Sequence, residues 1–240
     1  MNIKDFMDRV LFALSVPKCV CCGERLDFED KAFCPNCFAK FNDFKTRNCS
    51  RCARKLNECS CSNEFLSSHF VKKVIKCSRY IQRDERHPVN ALIYSLKRDN
   101  RNDVLELASD ELLCALENSI DDLSSCVFTN IPRRKDALVE FGIDHSEILA
   151  KEIARKSRAE YLRLMKSNAK TAQKSLDHTE RRKNADFELI KEVDLSGKTV
   201  IIVDDIITSG ASVSNAAMLI RGLGSKSIIA ACIAIAYKDT

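Results

Sequence analysis

One stretch of the 240-residue sequence, Val200–Ser212, joins acids, hydroxyls and a glycine in an order that suits a sugar phosphate. Four β-branched residues precede Asp204 and Asp205, and the small hydroxyl-rich run Thr208–Ser212 follows. Backbone N–H groups at a helix N-terminus surround phosphates readily, whereas paired carboxylates repel phosphate and suit vicinal hydroxyls or a hydrated cation. A simple helix N-cap would explain the hydroxyls but not the acids. The stretch therefore predicts a sugar-phosphate site.

A second group of chemistry-bearing residues is a series of cysteine pairs near the N-terminus. Two CxxC knuckles can complete a closed shell of four sulfurs around structural zinc, and sequential pairing is the simplest arrangement. An iron–sulfur cluster and plain reduced cysteines are the alternatives, and Cys21 is a spare thiol that could replace a neighbour. The predicted sets are Cys19, Cys22, Cys34 and Cys37 for one ion, and Cys49, Cys52, Cys59 and Cys61 for a second.

The elements that must position these residues alternate between strands and helices after about residue 67. Strands are predicted at Val71–Tyr80 (one or two), Cys126–Ile131, Tyr161–Met165, Val200–Val203 and Ser227–Ala236, and helices at Pro88–Lys97, Val104–Leu116, Ser146–Lys156 and Ala211–Leu223. This order is typical of an α/β fold with a mainly parallel sheet covered by helices. We therefore predict two domains: residues 1–66, an amphipathic helix and a double zinc ribbon, and residues 67–240, the sheet domain.

Composition narrows the class of protein. The sequence contains no run of 18 apolar residues, so we predict no membrane span. Acidic residues interrupt the apolar start of the chain, which argues against a signal peptide. Thirteen cysteines in a chain without an export signal indicate metal ligation, so we expect a cytoplasmic protein. The net charge of +5 is mild, although the stretch 151–198 is locally basic and would suit either a solvated surface or a site that attracts phosphates.

The run Val200–Ser212 resembles the motif with which type I phosphoribosyltransferases bind phosphoribosyl diphosphate (PRPP). The resemblance implies that Thr208, Ser209, Gly210, Ala211 and Ser212 hold the 5-phosphate. It also implies that Asp204 and Asp205 hold the ribose hydroxyls and, with them, hydrated magnesium. In those enzymes the turn after an earlier strand binds pyrophosphate. Arg133 and Arg134 occupy that turn here and would belong to the PRPP site.

With its cysteine pairs, the chain resembles the ComF family, in which a double zinc ribbon precedes a phosphoribosyltransferase-like domain. That family is associated with natural competence and DNA uptake in bacteria. Three further stretches resemble family motifs: Leu96-Lys97, the segment Phe141–His145 (with Ile143 in place of an aromatic residue), and a pattern that runs from Thr171 to Phe187. Segment 166–184 would correspond to the mobile loop over the site, and its Lys170, Arg181 and Arg182 could reach the leaving group.

Two classes of function remain open at this stage. As an enzyme, the chain would transfer a phosphoribosyl group with the help of magnesium. Asp204 and Asp205 would be its catalytic carboxylates, and the sequence identifies no acceptor. As a binding module, it would sense PRPP or bind single-stranded DNA through the basic ribbon, where Phe38, Phe41 and Phe44 would either stack on bases or pack the ribbon. An adaptor role, with the N-terminal helix docked on the DNA-uptake translocation machinery, is a third alternative.

Overall fold

The computed structural model describes residues 17–99, 101–134, 138–139, 142–168 and 187–236. The predicted amphipathic helix at Ile3–Leu14 lies outside these residues. So do Phe141 and most of segment 166–184, including Lys170, His178, Arg181 and Arg182. None of the described helices is long and apolar enough to cross a membrane.

A parallel sheet of five strands organises the described chain, as predicted. The strands are β1 (Val71–Arg79), β2 (Val127–Asn130), β3 (Glu160–Tyr161), β6 (Thr199–Ile207) and β7 (Ser227–Ile235). Their order in the sheet is β1-β7-β6-β2-β3, and every neighbouring pair is parallel. The carboxyl ends of all five strands therefore meet at one edge, where ligands bind in open α/β sheets.

Helices cover both faces of this sheet because β6 and β7 are apolar on both sides. The described helices are α1 (Pro35–Lys45), α2 (Glu64–Ser68), α3 (Pro88–Arg98), α4 (Asn102–Glu117), α5 (His145–Ser157) and α6 (Ala211–Gly222), with a 3₁₀ turn at Leu56–Glu58. One buried cluster joins the sheet to α1, α3, α4 and α5, and another joins it to α2, α6 and a separate antiparallel pair of strands.

The prediction of one strand over Tyr161–Met165 is wrong. β3 ends at Tyr161, and the Leu162 N–H still donates to Phe128 O of β2 at 2.9 Å. Beyond that point Leu164 O accepts from Ile190 N, so the chain has changed partner. A separate strand, β4 (Met165–Ser167), pairs antiparallel with β5 (Phe187–Leu189).

Strand β6 is longer than the predicted Val200–Val203 and runs through the two acids. Ile206 and Ile207 still pair with Ala234 and Ile235 of β7, so the ladder continues past the carboxylates. Asp204 and Asp205 thus lie inside the strand and not after its end. The ladder with β7 continues past both acids, whereas the pairing with β2 ends at Val203.

The cysteine-rich segment shares its core with the sheet. Phe33 and Phe41 are fully buried in the cluster that contains Ile75 of β1 and Leu92 of α3. The cysteine-rich segment, which is poor in aliphatic side chains, thus uses the core of the sheet. Among the cysteines outside both sets, Cys77, Cys126 and Cys232 are buried, whereas Cys114 is exposed.

The shared core predicts that a cavity in the ribbon weakens the whole fold. Phe41→Ala should lower the free energy of unfolding by about 3–5 kcal/mol, because a fully buried phenyl ring is lost. Phe38→Ala is the matched control: its ring stacks on the same Phe41 but is 37% exposed, and a cost near 0.5 kcal/mol is expected. Urea unfolding followed by circular dichroism gives both values. A Phe41→Ala protein whose sheet unfolds at the wild-type urea concentration would contradict the shared core.

Candidate functional site

Two adjacent carboxylates lie near the carboxyl end of β6. Asp205 is buried, Asp204 is half-buried, and the Asp205 N–H donates to Asp204 Oδ1 at 2.9 Å. Burial raises the pKa of Asp204 well above its ordinary value, and the neighbouring charge of Asp205 raises it further. Asp204 belongs to none of the ion pairs among the described residues. A hydroxyl donor or a cation at this position would therefore stabilise the ionised form of the Asp204 carboxyl group.

Two cations from other elements face Asp205. Lys97 Nζ, in the last turn of α3, lies 2.9 Å from Asp205 Oδ2. The Arg133 guanidinium, in the segment after β2, approaches the same oxygen at 4.0 Å. Of the two arginines in the predicted pyrophosphate turn, Arg133 thus lies near the acids, whereas Arg134 is exposed. Lys97 appeared in the sequence only as part of a short motif, and its contact with Asp205 had no local signal.

Asp144 holds the segment that carries Arg133. Its Oδ2 accepts from the Arg133 N–H at 2.9 Å, while its Oδ1 caps α5 by accepting from the Glu147 N–H at 3.2 Å. Ser146 Oγ donates to Ile131 O at 2.7 Å and ties the same helix start to the end of β2. One carboxylate therefore fixes the position of Arg133 relative to the sheet edge.

His145 lies beside these groups as the first residue of α5. It is buried, and its Nδ1 has no hydrogen-bond partner among the described residues. Burial lowers the pKa of His145, and the nearby Arg133 cation lowers it further, with Asp205 opposing the change. His145 therefore favours its neutral form at physiological pH.

The loop after β6 joins the strand to α6 through a left-handed turn. Thr208 and Ser209 are exposed, Gly210 has a φ of 84° and caps α6, and the Ala211 N–H contacts Ser209 Oγ at 3.4 Å. A β-carbon on Gly210 would lie 2.9 Å from the side chain of Leu66 in α2. The short helix that follows the second cysteine set thus packs against this loop, and nothing in the sequence indicated that contact.

The cysteines form two sets with the predicted sequential pairing. Within each set the four Sγ atoms lie within 4.8 Å of one another, and Cys22 Sγ and Cys34 Sγ are 3.7 Å apart. Tetrahedral zinc with bonds of about 2.3 Å needs sulfurs about 3.8 Å apart, so both sets fit a zinc ion. The spare Cys21 instead directs its Sγ to Arg86 O at 2.9 Å. The sets are Cys19, Cys22, Cys34 and Cys37, and Cys49, Cys52, Cys59 and Cys61.

Two zinc-sized clusters predict two metal ions per chain. Elemental analysis of protein purified without chelator should find about two zinc ions per polypeptide, and Cys59→Ser should remove about one of them. Cys114→Ser is the control, since Cys114 is exposed and lies outside both sets. Iron with inorganic sulfide, or full zinc content in Cys59→Ser, would contradict this assignment.

A side chain at Gly210 should destabilise the fold for two reasons. Gly210→Ala should lower the free energy of unfolding by about 1–3 kcal/mol, because a positive φ and a close contact with Leu66 are both unfavourable. Gly197→Ala is matched in φ, at +76°, but its β-carbon would meet nothing within 4 Å. Thermal unfolding should therefore show a clearly smaller loss for Gly197→Ala. Equal losses would mean that Leu66 does not restrain the loop.

Comparison with known proteins supplies the family. The model of the phosphoribosyl transferase domain matches residues 114–239, just over half of the chain. A 43-residue stretch is 51% identical to ribose-phosphate pyrophosphokinase 2 of Archaeoglobus fulgidus and spans 18% of this chain but only 16% of that relative. The purine phosphoribosyltransferase of Pyrococcus horikoshii shares 18% identity over 53% of this chain and 72% of its own, with a TM-score of 0.37. On the strength of the domain match, the chain belongs to the phosphoribosyl transferase domain family.

Proposed function

We propose that the chain binds PRPP at the carboxyl edge of the sheet, with Asp204 and Asp205 on the ribose and Thr208–Ser212 on the 5-phosphate. The observation that carries this proposal is an acid pair near the carboxyl end of β6, followed after a short loop by a left-handed glycine and a helix N-terminus. The turn and the helix start suit an anion, and the acids suit hydroxyl donors. A bare phosphate would use only half of this arrangement, whereas a sugar phosphate uses both halves.

The cations around Asp205 support a diphosphate on the same ligand. Lys97 and Arg133 hold Asp205 in the free protein and would shift their attraction to the diphosphate of an incoming PRPP. Magnesium, when bound, neutralises part of the diphosphate charge and assists its departure. Burial and the charge of Asp205 raise the pKa of Asp204, so a hydrated cation nearby would stabilise the ionised form of this carboxyl group.

As an enzyme, the protein would catalyse phosphoribosyl transfer mainly by positioning and by charge stabilisation. In that reaction the bond from C1 to the pyrophosphate oxygen breaks, and the acceptor nucleophile forms a new bond to C1. Asp204 and Asp205 would orient the ribose while Lys97 and Arg133 stabilise the leaving pyrophosphate. Binding of PRPP without transfer, as a sensor, is the alternative for the same site.

The biological setting that we propose is the ComF type: a cytoplasmic protein of natural competence and DNA uptake. Two stretches that resemble ComF motifs support it, because Lys97 contacts Asp205 and Asp144 holds Arg133 at the same site. None of the thirteen cysteines, all of which lie in the described part of the chain, forms a disulfide, which suits a reducing compartment.

Single-stranded DNA is a second candidate ligand, favoured by Phe38 and Lys40 on α1, each of which is exposed. Much of the remaining basic ribbon is already paired. Lys45 binds Glu111 at 2.7 Å, and Arg47 binds Asp43 at 3.2 Å. The ring of Phe41 is buried and packs the ribbon. A contact with the DNA-uptake translocation machinery would involve the N-terminal helix, which lies outside the described residues.

Calorimetry with PRPP and magnesium tests the proposed site. Asp204→Asn and Asp205→Asn should each weaken PRPP binding by about 10- to 100-fold, since each hydrogen bond to a charged group is worth about 1.5–3 kcal/mol. Asp122→Asn is the control, because Asp122 lies in the turn before β2 and hence at the opposite edge of the sheet.

Three outcomes separate the alternatives. No PRPP binding at millimolar concentration would remove both the enzyme and the sensor. PRPP binding without pyrophosphate release, across a panel of nucleobases and amines, would leave the sensor. Salt-dependent binding of single strands that is lost in Phe38→Ala would favour the DNA candidate.

A further inference from the structure

The second cysteine cluster lies against a lysine buried inside the fold. Lys76 is on β1 and is fully shielded from solvent. Its Nζ donates to Cys59 Sγ at 3.2 Å and lies 3.3 Å from Cys59 O and 3.2 Å from Cys61 O. A further contact, at 3.3 Å, reaches Val74 O on its own strand. Three of these acceptors belong to the two cysteines that complete the cluster.

The charge of Lys76 needs a partner. None of the ion pairs among the described residues includes Lys76. A buried ammonium group without an opposite charge is strongly unfavourable, and backbone carbonyls supply only partial charges. Four thiolates around one divalent ion keep an excess of negative charge, and one of those sulfurs is at hydrogen-bond distance from Lys76 Nζ.

Among the residues that the structure describes, the first cysteine cluster has no such neighbour: no hydrogen bond there joins a cationic side chain to one of its sulfurs. Cys22 Sγ instead lies 3.9 Å from the Glu24 carboxylate. The two clusters therefore have the same ligands but differ in their electrostatic surroundings, and each serves as the reference for the other.

We infer that Lys76 is the counter-ion of the metal site formed by Cys49, Cys52, Cys59 and Cys61. Its charge raises the affinity of that site for zinc, and its hydrogen bonds fasten the site to β1. Lys76 is a positioning residue outside the shell of ligands, and loss of such a residue typically weakens metal binding by about 10- to 100-fold. The inference does not depend on the proposed function, because it concerns the ribbon and the sheet without PRPP.

Competition with a chromophoric chelator tests the inference on the full-length, zinc-loaded protein. In Lys76→Met, one of the two zinc ions should pass to the chelator at about 10- to 100-fold lower chelator concentration, while the other is released as in wild type. Lys76→Gln should behave like Lys76→Met, because it keeps N–H donors but not the charge. Lys72→Met is the matched control: it removes the same charge from the same strand at an exposed position.

A second measurement distinguishes a counter-ion from a residue that only packs. Thermal unfolding with zinc and after chelation should show that Lys76→Met destabilises the zinc-loaded protein and leaves the zinc-free protein unchanged or more stable, because an unbalanced buried charge has been removed. Cadmium-113 spectra should show a shifted signal for one site only. Equal losses with and without zinc, weakening of both sites, or wild-type zinc affinity in Lys76→Gln would overturn the inference.

Discussion

The adjacent carboxylates of Asp204 and Asp205, held inside the ladder of a buried parallel strand, impose the constraint on which this end of the sheet depends. Like charges in such a place repel each other and have little water to relieve them. Neighbouring elements supply cations close to these acids. Lys97 comes from α3 and Arg133 from the segment after β2, and Asp144 fixes Arg133 through its backbone. The positions of three separate elements are thus coupled to one pair of acids.

The cysteine-rich ribbon likewise depends on the sheet for its buried contacts. A cysteine-rich segment has too few aliphatic side chains for a core, so it inserts Phe33 and Phe41 into the core of the sheet. Its second metal site lies against the buried Lys76 of β1. The chain from Cys61 then enters α2, whose Leu66 packs on the Gly210 turn. Metal ligation and the loop after β6 are therefore joined by a continuous path of contacts.

Local patterns in the sequence predicted β1, β2, β6, β7, the helices α3 to α6 and both sets of cysteines, but not α1, α2 or the β4–β5 pair. The β-branched run predicted β6, and the cysteine spacing predicted both sets of four thiols. The predictions that failed have a common cause: tertiary packing determines which strands pair and which side chains are in contact. The change of partner after Leu162 and the extension of β6 to Ile207 depend on which strand lies alongside. The contacts of Lys97, Lys76 and Leu66 join residues far apart in the chain, so no local pattern announces them.

We propose that the acids and the glycine turn bind the same sugar-phosphate molecule. A crystal structure with PRPP and magnesium tests it most directly, because it locates each part of the ligand separately. If the proposed site is correct, the 5-phosphate lies within hydrogen-bond distance of the backbone N–H groups of Thr208–Ser212, and the ribose hydroxyls donate to Asp204 and Asp205. A PRPP molecule bound with its diphosphate in the glycine turn, or bound away from the acids, would show that the proposed site is wrong.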